Sequence, residues 1–205
     1  ACVQMGECPC ESAPAPAPPG DLVPGNAALL ARLERAAAAA GADYSPNQVF
    51  PSADDRAYFV SRVSSLLGSP EWEQRNLGVK LLGLLHAREK LPLLLALLAD
   101  KRKASWLKRL LGGDYEQVGF IRRNALTAIG RLGAVTPEVE ATLIAAFADP
   151  YFEVRAEAVR TASQLADRLV SRAAIVEGLR GLLRDRWLEV AAAAAEALGR
   201  IGGAG

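Results

Sequence analysis

The second half of the sequence repeats one helical pattern, and this repetition constrains the fold more than any local signal. Apolar and small residues recur at spacings of three and four, which is typical of one face of a helix. The set Ile121, Arg122, Ala125, Leu126, Ile129 and Leu132 returns 33 residues later as Val154, Arg155, Ala158, Val159, Ala162 and Leu165, and 36 residues after that as Val190, Ala191, Ala194, Ala195, Leu198 and Ile201. A weaker copy lies 47 residues upstream of the first, at Gly78, Val79, Leu82, Gly83 and Leu85. Self-similarity of this kind predicts an array of stacked supersecondary units.

A further helical segment precedes each clear copy of the pattern. These segments span residues 89–99, 137–148 and 172–184, and an aspartate follows each one, at Asp100, Asp149 and Asp185. An aspartate at a helix junction can accept hydrogen bonds from the free N–H groups that open the next helix, so its position needs no catalytic role. The composition agrees, because 39 Ala and 30 Leu among 205 residues favour helix over sheet. The sequence therefore predicts an all-α fold, an alpha-alpha superhelix of stacked helical hairpins.

The repeated unit resembles the HEAT repeat family, particularly the short bacterial form similar to repeats in phycobilin lyases. The residues that carry this resemblance are Asp149-Pro150, Val154-Arg155, Ala158-Val159 and Leu165, and then Asp185, Val190, Ala194, Leu198-Gly199 and Ile201. The resemblance implies a HEAT/armadillo-like solenoid over residues 26–205, with motif support from residue 69 onward and helical content alone before it. One departure is Ala191, which stands where the family has an arginine after the central valine and which is typical of a capping repeat.

Residues 1–25 differ from the rest of the chain and are predicted to form a Cys/Pro-rich tail or tether. They contain six of the twelve prolines and all three cysteines, Cys2, Cys8 and Cys10. Cys2, with a small residue before it and a proline-rich spacer after it, is a candidate lipidation site of a bacterial lipoprotein. The alternative is an exposed tail of a cytosolic protein. The cytoplasm and the cell envelope therefore both stay open as locations.

Residues 101–123 hold an excess of positive charge, in a chain whose 24 basic and 23 acidic residues nearly cancel. Part of this segment is an insertion that the other copies lack, and insertions in solenoids often contact partners. The alternative is that Trp106 and its neighbouring leucines simply cover the core, with the lysines solvated. The predicted partner-binding residues are Lys101, Arg102, Lys103, Trp106, Lys108 and Arg109 in the insertion, and Arg122, Arg123 and Arg155 toward the inner face of the array.

No catalytic, cofactor-binding or metal-binding residues are predicted. His86 is the only histidine and has no Ser or Cys nearby in sequence. A metal would need about four ligands, more than the three cysteines of the tail offer, and the near-zero net charge argues against nucleic acid. We therefore expect no enzyme but a protein–protein interaction scaffold, or an accessory subunit of a larger assembly, that binds through the concave face of the helical repeats and the basic inserted loop. Two alternatives remain: a bilin lyase-like protein, implied by the resemblance alone, and an envelope lipoprotein that organises a membrane complex, associated with the membrane through Cys2 or the basic insertion.

Overall fold

The computed structural model describes residues 25–50, 52–99 and 117–202, and every regular element in these ranges is a helix. The all-α part of the prediction is therefore confirmed for the described residues. The α-helices are α1 Asn26–Ala40, α2 Ala53–Ser64, α3 Trp72–Leu84, α4 Leu91–Ala99, α5 Gln117–Leu132, α6 Pro137–Ala146, α7 Phe152–Gln164, α8 Arg172–Leu182 and α9 Leu188–Gly202. Short 3-10 helices join several of them, at Gly41–Asp43, Pro46–Gln48, Ser65–Gly68, Arg88–Lys90 and Ala166–Arg168.

The helices contact one another in chain order. Helices α3, α5, α7 and α9, which we call the second helices, each pack against the next member of this set. The first helices α4, α6 and α8 also pack in sequence, and each lies against the second helix that follows it. Helices α1 and α2 pack against α3. From α4 to α9, the described helices thus pack in an alternating order of first and second helices.

Neighbouring second helices run parallel and approach each other closely. Between α3 and α5, Asn76 contacts Asn124 through side-chain amides, and Gly83 further along contacts Ala128. A Cβ at Gly83 would lie 2.9 Å from the Cα of Ala128, closer than side chains tolerate, so this seam requires glycine. The small residues of the repeated pattern, Ala125, Ala158 and Ala194, are fully buried. One continuous apolar core runs between the two sets of helices.

Two kinds of local signal set the ends of the first helices. Thr136 accepts a hydrogen bond from the N–H of Val139 and opens α6. Pro137 occupies the first position of this helix, where an N–H would have no intrahelical partner.

Each first helix is two residues shorter than predicted. At α6 and α8 the chain tightens after the last turn, so that the N–H of Asp149 bonds to Ala146 and that of Asp185 to Leu182. This tightening brings each aspartate to the beginning of the next helix.

A buried carboxylate joins successive first helices. Glu140 of α6 is 2% exposed and accepts hydrogen bonds from the N–H groups of Val170 and Ser171, just before α8. Burial alone would raise the pKa of Glu140, but these hydrogen bonds outweigh burial and hold the pKa below its ordinary value. Glu140 therefore stays charged and fixes the start of α8 against α6. No helix among the described residues is both long and apolar enough to cross a membrane.

Candidate functional site

Most of the predicted partner-binding residues fall outside the described ranges. This holds for the insertion residues Lys101, Arg102, Lys103, Trp106, Lys108 and Arg109, and for Cys2 in the tail. The predictions for these seven residues therefore stay predictions. The three remaining candidates, Arg122, Arg123 and Arg155, lie on α5 and α7.

Arg122 is buried inside the array and does not reach solvent. It is 3% exposed, and its Nε and Nη2 atoms each lie 2.9 Å from one carboxylate oxygen of Asp149. This bidentate pair links α5 to the junction between α6 and α7. The guanidinium also stacks on the Tyr151 ring, with its carbon 5.1 Å from the ring centre. Arg122 therefore holds two hairpins together.

Arg155 repeats this arrangement one hairpin further on. Its Nε and Nη2 atoms bond to the carboxylate of Asp185 at 2.7 and 2.9 Å, and its Nη1 donates to the backbone oxygen of Asp149 at 2.7 Å. The residue is 8% exposed. Because Arg122 and Arg155 use their charge within the chain, we do not count them among the surface residues that a partner could reach.

Arg123, unlike Arg122 and Arg155, remains partly exposed. Its guanidinium lies over the ring of Phe120, 5.1 Å from the ring centre, and it has no ion pair with another described residue. Of the three predicted arginines, Arg123 is therefore the one whose charge stays at the surface.

The aspartates of the two pairs also open the second helices, as the sequence predicts. Asp149 accepts a hydrogen bond from the N–H of Tyr151 at 2.9 Å, and Asp185 accepts one from Trp187 at the same distance. The hydrogen bond from Arg155 is the main cause that holds the pKa of Asp185 below its ordinary value, against the opposing effect of burial. Each aspartate therefore bonds both to an arginine of the preceding second helix and to an N–H at the beginning of the next one.

The weaker copy at α3 shows one of the two arginine contacts, the hydrogen bond to a backbone oxygen. Arg75 lies six residues after Ser69 and donates to its backbone oxygen at 2.7 Å, just as Arg155 does to Asp149. The Ser69 hydroxyl accepts from the N–H of Glu71, in the role that the aspartate carboxylates have elsewhere. Asp100, which the repeat pattern places opposite Arg75, lies outside the described residues.

A shallow groove lies between the second helices α7 and α9. Its volume is about 390 Å³, and its rim carries both signs of charge. Arg160 spans the groove and pairs with Glu157 on its own helix and with Glu189 on α9. Glu196 and Arg200, one helical turn apart on α9, are exposed beside it. This surface offers charges of both signs on a fixed backbone.

Exposed apolar side chains lie where α9 begins. Trp187 is 42% exposed and stacks on Phe152 of the preceding hairpin, with ring centres 4.2 Å apart. Leu188, next to it, is 82% exposed. Aromatic residues that are held rigidly and half exposed are common anchors in protein interfaces.

At the opposite ends of the second helices, side chains bond to backbone carbonyls. The Tyr44 hydroxyl donates to the oxygen of Leu84 at 2.8 Å, and Arg56 donates to the oxygens of Leu85 and His86, also at 2.8 Å. Arg88 donates to the oxygen of Leu132 at the end of α5. These contacts satisfy the free carbonyls at the helix ends. Arg56 also lies 3.6 Å from the half-exposed carboxylate of Glu89, whereas Arg88 has no ion pair with another described residue.

His86 lies within this turn and is the one non-glycine residue with a positive φ, 49°, among the described residues. Its ring meets that of Tyr44 edge-to-face, with centres 5.4 Å apart. Burial, followed by the charges of Arg56, Arg88 and Arg131, lowers the pKa of His86. The backbone oxygens of Leu84, Leu85 and His86 accept from Tyr44 and Arg56 rather than from this imidazole. No spacing along the sequence predicts that this histidine lies beside Tyr44, Arg56, Arg88 and Arg131.

No family model matches the chain, and no curated protein matches it either. The resemblance to HEAT repeats therefore depends on the residues quoted from the sequence. Among the described residues, no group of three or more His, Cys, Asp or Glu side chains is arranged to hold a metal ion.

Proposed function

We propose that this protein is a non-catalytic scaffold, an alpha-alpha superhelix of HEAT-like hairpins that holds another protein on the face formed by its second helices. The single observation that supports it most is the repeated arginine–aspartate pair. Arg122 and Arg155 occupy equivalent positions on α5 and α7, and each makes a bidentate contact with the aspartate of the next hairpin. A pair that recurs from one hairpin to the next favours an array that advances by a constant step.

These pairs also favour a rigid binding face. Each hairpin alone would leave its apolar stripe in water, so stacking supplies the core, and the buried ion pairs fix how neighbours align. Binding on such a preformed surface costs less conformational entropy than binding on a surface whose loops must first become ordered. The scaffold hypothesis accounts for these contacts without any catalytic group.

The groove between α7 and α9 is our choice for the docking region. Charges of both signs, Arg160, Glu189, Glu196 and Arg200, surround it. A mixed surface of this kind gives specificity to a protein partner through charge complementarity and does not attract polyanions in general. Phe152 and Trp187 lie at the beginning of the same two helices and add an aromatic anchor.

The basic insertion at 101–109 and the tail at 1–25 enter this proposal as second contacts. A tether attached to a binding domain raises the effective concentration of its partner at the assembly site. If Cys2 carries lipid, the assembly forms at a membrane, and an intact-mass measurement of the native amino terminus distinguishes a lipidated from a free Cys2.

The test is affinity capture from native extract with two matched charge reversals. Glu196→Lys with Arg200→Glu reverses an exposed pair at the groove and keeps the net charge. Glu177→Lys with Arg180→Glu does the same on α8, at an exposed pair 3.6 Å apart. We expect the first variant to lose a protein that the parent and the second variant both retain. Equal retention by all three proteins would show that the groove is not the docking region.

A separate measurement tests the architecture. Small-angle scattering of the purified chain should give the elongated profile of a superhelix, because each hairpin adds length along one axis. A profile typical of a compact closed bundle would contradict the proposed solenoid.

A further inference from the structure

We propose that the turn around His86, together with Arg56, Arg88 and Arg131, is a binding site for a phosphoryl group. The site lies at the ends of α3 and α5, away from the groove between α7 and α9. It is independent of the scaffold proposal, since it depends on a different set of residues.

The side chains of Tyr44 and Arg56 hold the turn after α3 in one conformation. Backbone oxygens of three consecutive residues, Leu84, Leu85 and His86, each accept a hydrogen bond from Tyr44 or Arg56 at 2.8 Å. These bonds fix His86 in the left-handed region, at φ 49°, which is costly for a residue other than glycine. A strained residue persists only where its surroundings determine its conformation, and such residues concentrate at ligand sites.

Positive charge exceeds negative charge around this turn. Arg56 and Arg88 are anchored by carbonyl oxygens, which satisfy N–H groups but do not neutralise a guanidinium. Arg131 of α5 is exposed and has neither a hydrogen bond nor an ion pair with another described side chain. The carboxylate in contact with the cluster is that of Glu89, half exposed and 3.6 Å from Nη2 of Arg56. Among the described residues, the three guanidinium groups that act on His86 stand against one contacting carboxylate, a surplus of two positive charges when His86 is neutral.

His86 adds a directional group to this charge. Its half-buried imidazole has no hydrogen-bond partner among the described residues, and the lowered pKa keeps it neutral at pH 7. A neutral imidazole can donate one N–H to an oxygen of a ligand. The edge-to-face contact with Tyr44 orients the ring, so the donor has a fixed direction.

A phosphoryl group fits this set of residues better than a single carboxylate does. Guanidinium forks bind phosphate oxygens in bidentate fashion, and a phosphate monoester near pH 7 carries about two negative charges, which match the surplus. The phosphoryl group can belong to a small free phosphate or to a lipid headgroup, and the chemistry of recognition is the same.

The single histidine makes this site directly observable. The imidazole proton signals of the full-length protein in NMR belong to His86 alone. Inorganic phosphate, added at constant ionic strength, should shift these signals in a saturable way and raise the pKa of His86, because a nearby anion favours the protonated ring. Co-sedimentation with phosphatidic acid vesicles, compared with phosphatidylcholine vesicles, tests the lipid source.

Arg131→Gln and Arg200→Gln are the matched variants. The two arginines are both exposed and occupy equivalent positions, on α5 and α9, but only Arg131 acts on His86. We expect Arg131→Gln to weaken phosphate or phosphatidic acid binding about tenfold, as the loss of one charge-assisted hydrogen bond does, and Arg200→Gln to leave it unchanged.

Each outcome decides the proposal. A saturable shift that needs Arg131 supports a free phosphate ligand, and sedimentation that needs Arg131 supports a lipid headgroup. The proposal is overturned if neither probe binds, or if Arg131→Gln binds both probes as the parent does. Because the guanidinium of Arg131 is exposed and has no hydrogen bond or ion pair with another described side chain, the circular dichroism spectrum of this variant should match that of the parent.

Discussion

The two ends of the second helices use arginine in opposite ways. Where these helices begin, Arg122 and Arg155 are buried and each makes a bidentate pair with an aspartate. Where they end, Arg56 and Arg88 bond to backbone oxygens, and the ion pair present among the described residues is the longer, 3.6 Å contact of Arg56 with the half-exposed Glu89. A matched, buried arginine contributes to the alignment of hairpins, whereas an unmatched one at the surface creates a field that a ligand can use. The same residue type therefore supports architecture at one end and recognition at the other.

The largest expected effect comes from breaking a matched pair. Asp149→Asn removes the carboxylate that both Nε and Nη2 of the buried Arg122 contact, while the amide oxygen can still accept from Tyr151. We expect a loss of about 3–5 kcal/mol in the free energy of unfolding, measured by urea titration. The double variant Arg122→Met with Asp149→Asn should lose less than the single one, because no buried charge is then left over. A double variant whose loss equals or exceeds that of Asp149→Asn would show that the pair is not coupled.

The second pair should give a smaller effect that depends on pH. Asp185→Asn removes a charged acceptor for Arg155 and should cost about 2 kcal/mol at pH 7. Because the folded protein holds the pKa of Asp185 below its unfolded value, this stabilisation is present above the unfolded pKa and is lost as pH falls through the folded one. Urea titrations should therefore show the gap between parent and variant shrinking below about pH 4. A gap that stays constant down to acid unfolding would contradict this account of the pair.

Removing an arginine at the opposite end should cost less. Arg56→Gln loses two hydrogen bonds to carbonyl oxygens near the surface, and water can replace them in part. We expect a loss of about 1 kcal/mol in the free energy of unfolding. If Arg56→Gln destabilised the protein as much as Asp149→Asn, the contrast between the two ends would fail.

The smallest effect is a change in the pKa of His86 with salt. Sodium chloride screens the exposed arginine charges but not the burial of the ring. The pKa of His86, followed by NMR, should therefore rise toward its ordinary value as salt is added, and part of the lowering should remain. Arg131→Gln should raise this pKa at low salt and reduce the further rise. A pKa that does not respond to salt would indicate that burial alone lowers it.

The sequence was sufficient for the features that depend on local spacing. The helical stripes, the small residues at Ala125, Ala158 and Ala194, and the aspartates that open α7 and α9 could all be predicted, because each is set by residues within one or two turns. The sequence analysis does not pair Arg122 and Arg155 with the aspartates, although a signal exists: arginine recurs at 122 and 155, and aspartate at 149 and 185, at matching positions of the repeat. The superhelix itself, and any role of residues 101–109, remain predictions.

The cluster around His86 could not be predicted from sequence. Its charged members come from α2, from the turn after α3 and from α5, and Arg56 and Arg131 lie 30 and 45 residues from His86. Only the packing of α3 against both α2 and α5 brings them together. Tertiary packing, rather than any spacing along the chain, therefore creates this site.

Because the buried ion pairs join successive hairpins, they affect how a chain of this kind can gain or lose a hairpin. The hairpin of α6 and α7 offers Asp149 to the helix before it and requires, through Arg155, an aspartate from the hairpin after it. This hairpin thus carries one half of each of two different ion pairs. A duplication or deletion of one whole unit keeps donors and acceptors equal in number, so evolution can lengthen or shorten the array without stranding a charge inside it.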